Sequence, residues 1–66
     1  MIIFKLNGEN SSTKTNITIN EYLNSLNLDI NSVVVLLNNK VLEKSEYNCE
    51  IYENCEIEIL RFVSGG

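Results

Sequence analysis

Few side chains in this chain have the right chemistry to drive a reaction. The 66 residues contain no histidine, which removes the commonest general base and the commonest metal ligand. Cys49 and Cys55 cannot fill a tetrahedral zinc site alone, and no Cys-His dyad is possible. They read as small, semi-buried apolar residues. The carboxylates of Glu50, Glu53 and Glu56 beside them would raise a thiol pKa rather than depress it. With Glu43, Glu46 and Glu58, those glutamates read as a solvated acidic surface. What remains is the end of the chain, Ser64-Gly65-Gly66. A terminal Gly-Gly arises by chance in roughly one chain in two hundred at average glycine usage, so its setting must carry the argument. Only Ser64 separates it from an apolar strand, so the Gly66 carboxylate is expected to project on a short flexible stalk. Two residues without Cβ atoms can thread a narrow channel in a partner and adopt dihedrals closed to other residues. A carboxylate presented in this way can attack the α-phosphate of ATP held by another protein, giving an acyl-adenylate open to sulfur or amine nucleophiles.

The elements that would hold that tail can be read from pattern. Ile2 to Leu6 is apolar and β-rich, and Asn7-Gly8 after it is a strong hairpin signal. The second strand is expected within Ser11 to Asn16, where Thr13 and Thr15 alternate. Thr18-Ile19-Asn20-Glu21 is a capping box, and Ile17 with Tyr22 makes a hydrophobic staple. Ile19, Tyr22, Leu23 and Leu26 then form one apolar stripe, predicting a helix of about ten residues that ends near Asn27. Leu28 and Ile30 should tuck in after it. Val33 to Leu37 is a continuous apolar run: either a central strand buried on both faces, or one with an apolar outer face. Asn38-Asn39 is a turn, Val41-Leu42 a short strand, Lys44 to Tyr47 a single helical turn or a loop, and Glu53-Asn54 a second turn. Glu56 to Val63 alternates, with Ile57, Ile59, Arg61 and Val63 on one face and Glu58, Leu60 and Phe62 on the other.

Hairpin, helix, strand, short strand, turn and long strand predict an α+β fold of the ubiquitin-like β-grasp type, a mixed sheet packed on one helix. The helix should cross to a parallel partner with right-handed connection. Residues 1–63 would form the domain and 64–66 the tail. If Ile57 and Ile59 face the helix, Leu60 and Phe62 point away from it beside the tail. Part of the Val33–Leu37 run should join them in an exposed apolar patch, the usual mark of a partner site. The alternative is a strand twisted enough to bury both sets. Arg61, the only arginine, either pairs with an acidic partner group or is a solvated charge.

Composition narrows the classes further. Hydrophobic residues are 44% and charged residues 21%, which fits a folded chain rather than a disordered one. The abundance of asparagine and isoleucine reads as coding bias. A net charge of −4 with only 5 Lys and Arg argues against nucleic acid and for a basic face on a protein partner. The start of the chain lacks the basic and apolar pattern of a signal peptide, and no run approaches the roughly 20 apolar residues of a membrane span. A cytoplasmic protein with free thiols is expected.

The stretch from Val33-Val-Val-Leu-Leu-Asn-Asn-Lys-Val-Leu42 through Glu53-Asn-Cys-Glu-Ile-Glu-Ile59 to Phe62-Val-Ser-Gly-Gly66 resembles the ThiS family of sulfur carriers. The family commonly shows a valine-rich strand, an Asn-containing turn, an Asp-Gly-Asp-x-Ile-Glu-Ile segment and a terminal Gly-Gly. The N-terminal half is similar too, with its short strand, Asn-Gly turn and Thr-initiated helix. Asn54 replaces the glycine of Asp-Gly-Asp, and asparagine is the best non-glycine occupant of a left-handed position. The family's usual proline of the middle loop is missing here.

The resemblance implies a carrier protein, not an enzyme, with no bound cofactor. Its Gly66 carboxylate would be adenylated with ATP by an E1-like enzyme (ThiF or a MoeB relative). A sulfur donor enzyme would supply sulfur for the thiocarboxylate, which thiazole synthase (ThiG) would consume. Gly65 and Gly66 carry over as the active tail. Leu60 and Phe62 match the partner-facing patch by position, and Arg61 between them and Ser64 before the tail are the other candidate partner-binding residues. A MoaD-like carrier for molybdopterin, a protein modifier and a plain binding module are the alternatives.

Overall fold

The first hairpin is set by backbone preferences. In the computed structural model, which describes residues 1–62, Asn7 has φ 51° and Gly8 φ 85°. Both signs suit a tight two-residue turn that matches strand twist. It joins β1 (Ile2–Leu6) to β2 (Glu9–Thr13), with Leu6 directly opposite Glu9. The sequence placed the second strand at Ser11 to Asn16. The short loop forces pairing to begin at Glu9, and Asn16 at φ 65° has already left the strand.

Helix α1 (Ile19–Ser25) begins where the capping box predicts. The Thr18 hydroxyl accepts from the Glu21 N–H at 3.1 Å, and the Glu21 carboxylate accepts from the Thr18 N–H at 2.9 Å. The remaining N-terminal donors are also used. Ile19 and Asn20 donate to the carbonyls of Cys49 and Tyr47, both at 2.9 Å. Segment 47–51 therefore lies across the helix start. The helix is shorter than predicted because Asn27 enters the left-handed region at φ 59°. Leu28 N–H then reaches the Leu23 carbonyl at 3.0 Å, and Asn27 N–H the Asn24 carbonyl at 3.0 Å. These two bonds are the Schellman pattern that closes a helix.

After a 3-10 turn at Ile30–Ser32 come β3 (Val33–Leu37), a second turn at Asn38-Asn39, and β4 (Lys40–Val41). A further 3-10 turn at Lys44–Glu46 leads through the 47–55 segment to β5 (Glu56–Arg61). The sheet order is β2-β1-β5-β3-β4. β5 runs parallel to β1, with Lys5 opposite Glu56, and antiparallel to β3, with Val35 opposite Ile59. The parallel partner of β1 is thus the last strand, not the strand after the helix. β3 is not central. It buries Val33 and Val35 on one face and half-exposes Val34 and Leu36 on the other, which settles its two readings in favour of an apolar outer face.

The core lies between the helix and one sheet face. Phe4, Leu23, Val35, Cys55 and Ile57 are almost fully buried there, with Ile17, Ile19, Tyr22, Tyr47 and Ile51 around them. The Phe4 and Tyr22 rings meet edge to face at 5.4 Å, a favoured aromatic geometry that ties β1 to α1. Leu28 and Ile30 pack against this core as predicted.

Asparagine turns out to have a conformational use. Among the described residues, every non-glycine position at positive φ is an asparagine: 7, 16, 27, 38, 39 and 54. Asparagine tolerates that region because its short amide can bond locally. Coding bias alone therefore does not account for its abundance.

Candidate functional site

β5 presents two different faces because a strand alternates its side chains. Ile57 and Ile59 go into the core at 1% and 9% exposure, whereas Leu60 and Phe62 are about half exposed at 52% and 51%. The alternation predicted from sequence therefore holds, and the strand does not twist enough to bury both sets. Leu60 lies opposite Val34 on β3, and Leu36 lies opposite Val41 on β4. These residues make an apolar strip on the sheet face away from the helix. The Phe62 N–H donates to the Ser32 carbonyl at 3.2 Å, which holds the end of the strip in place.

Val41 is the member that sequence reasoning missed. The sequence places it in a short strand without fixing its face, because a two-residue strand has too few positions to show alternation. Only the Leu36–Val41 pairing reveals which side it takes. Arg61 is exposed, pairs in register with Val33, and belongs to the other row of β5. It does not join Leu60 and Phe62. Ser64, Gly65 and Gly66, with Val63, lie outside the described residues.

The two thiols are not arranged for nucleophilic work. Cys55 is buried in the core and Cys49 is half-buried beside it. Burial pushes the Cys49 thiol pKa up, and Glu46 and Cys55 add to that, against its own backbone hydrogen bond. Tyr47 is likewise raised by burial. Among the described residues no group of three or more His, Cys, Asp and Glu could hold a metal ion. No helix among them is long and apolar enough to cross a membrane. The described residues offer a sheet with an exposed apolar strip at the end of β5.

Comparison with known proteins agrees with that shape. A family model described as the ThiS family matches residues 4–66. Among solved structures, the chain is similar to the thiamine biosynthesis protein ThiS from Geobacter metallireducens, at 26% identity and a TM-score of 0.82. That match covers 98% of this chain and 100% of the other. No curated protein is matched. The strand order, the capped helix α1 and a family match reaching from β1 through Gly65-Gly66 together place the chain in the ThiS family.

Proposed function

We propose that this protein is a sulfur carrier for thiamine biosynthesis and that the Gly66 carboxylate is its working group. The observation that carries the reading is the apolar strip at Leu60 and Phe62, at the end of β5 and a few positions before Ser64-Gly65-Gly66 in the sequence. An adenylating enzyme of the E1-like class docks on that strip and takes the tail into its ATP site. The carboxylate oxygen attacks the α-phosphate of ATP, pyrophosphate leaves, and an acyl-adenylate forms. The outer sulfur of a persulfide on a donor enzyme displaces AMP to give an acyl disulfide, and a thiol reductant splits its S–S bond, leaving the thiocarboxylate and a disulfide between donor and reductant. A thiazole-forming synthase then takes the sulfur. The carrier contributes presentation only, which suits a chain with no histidine, one buried thiol and one half-buried thiol whose pKa burial raises.

The test is intact mass after incubation with ATP, the adenylating enzyme of the same organism and a sulfur donor. The expected gain equals replacement of one oxygen by sulfur, and it is lost when Gly66 is deleted. No gain with an enzyme proven active on another carrier overturns the reading.

A further inference from the structure

The open sheet face carries one carboxylate whose surroundings differ from those of the rest. Along β5 the outward positions are Glu56, Glu58 and Leu60, each about 6.8 Å from the next at the strand repeat. Glu56 has Lys5 directly opposite it on β1. Glu58 has Leu36 opposite it on β3. On its other side Asn7 brackets it, donating its N–H to the Ile57 carbonyl at 2.8 Å and accepting the Ile59 N–H on Oδ1 at 2.8 Å. Both hydrogen bonds are used on backbone, and neither neighbour brings a positive charge. Glu58 is therefore an exposed carboxylate set between Leu36 and Leu60. Beside it a hollow of about 300 Å³ opens between the Asn7-Gly8 turn and Asn39, lined also by Glu56 and by Lys5, which stands in register with Glu56 rather than with Glu58.

A protein that covers Leu36 and Leu60 must also take water away from Glu58. An unpaired carboxylate removed from water is costly, and the cost is relieved when a cation meets it with good geometry. We propose that Glu58 is a specificity residue of this face, met by a cationic side chain, arginine or lysine, of the protein that docks on Leu60. Arginine suits the position best because its planar fork bonds both carboxylate oxygens. The sequence grouped Glu58 with a solvated acidic surface, and the register of β3 and β5 separates it from that group. This inference rests on the carrier reading, since that reading supplies the protein that docks.

The experiment titrates the adenylating enzyme of the same organism with wild type, Glu58→Gln, Glu56→Gln and Leu60→Ser at low and moderate salt. All three positions are exposed, and circular dichroism confirms the fold. Glu58→Gln should weaken binding by about tenfold and flatten its salt dependence, while Glu56→Gln stays within about twofold. Glu58→Arg should weaken it by about a hundredfold, because it sets like charges together. If Leu60→Ser weakens binding while Glu58→Gln keeps wild-type affinity and salt slope, the carrier reading stands and the role of Glu58 is overturned. If wild type neither binds nor gains sulfur, the carrier reading fails and the role of Glu58 falls with it.

Discussion

Single residues here act mostly through hydrogen bonds that local sequence announces. Glu21 is the clearest case. Its carboxylate accepts from the Thr18 N–H and then from the Thr18 hydroxyl, and Lys14 adds a smaller attraction, so its pKa is lowered from 4.5. A carboxylate with a lowered folded pKa stabilises the native state fully above its unfolded value, and that contribution is lost as pH falls through the folded value. Wild type should therefore exceed Glu21→Gln in urea midpoint near neutral pH, and the gap should close as pH drops below 4.5. A gap that does not change with pH would show that the cap acts through geometry alone. Cys49 gives a second residue-level expectation. With its thiol raised by burial, iodoacetamide should label it slowly at neutral pH and faster as pH rises. Cys55, at 1% exposure, should label only on unfolding. Equal labelling of both thiols in the native protein would contradict this placement. The capping box was legible because its residues are three apart in sequence. The grip of Asn7 on Ile59 was not, because 52 positions separate them and nothing local signals the bond.

Elements show the same division between local and distant causes. Both hairpin turns, the helix start and the two faces of β5 follow from spacing and turn chemistry, and the sequence placed them. The position of β5 in the middle of the sheet was missed. Alternation says which side chains share a face but not which strand lies alongside, and the partners of β5 on β1 are far away in sequence. The structure secures that position with the turn asparagines. Asn38 takes φ 51°, donates its N–H to the Glu56 carbonyl at 2.7 Å and accepts the Glu56 N–H on Oδ1 at 2.9 Å. Its Nδ2 bonds the Tyr52 hydroxyl. One residue thus both turns the β3–β4 hairpin and ties it to β5. Asn38→Gly keeps the backbone conformation and loses the amide, which should cost about 1 kcal/mol. Asn38→Ala loses the amide and adds the left-handed penalty, about 2–3 kcal/mol together. Chemical denaturation of the two variants measures both. Equal losses would mean that the side-chain bonds, not the turn conformation, hold this corner.

At the scale of the molecule, the two faces of the sheet have separate tasks. One face forms the core with the helix and with Ile17, Leu42, Tyr47, Ile51 and Cys55 from the connecting segments, and the other presents Val34, Leu36, Val41, Leu60 and Phe62. A domain of this length has a stability of about 3–10 kcal/mol, so its core has little to spare. Leu23 is fully buried at 0% exposure, and Leu23→Ala should cost about 2–5 kcal/mol. That loss can unfold much of the population at 37 °C. Any molecules still folded would keep the open face and the tail unchanged. Leu60→Ser should do the reverse, since half of its side chain is already in water. Its thermal midpoint should stay close to wild type while conversion to thiocarboxylate falls steeply. Measured at 10 °C, where Leu23→Ala regains its folded fraction, the core variant should be converted nearly as well as wild type and the surface variant should not. If both variants instead lose stability and conversion in proportion, Leu60 is part of the core in effect, and the open face cannot be a dedicated docking surface.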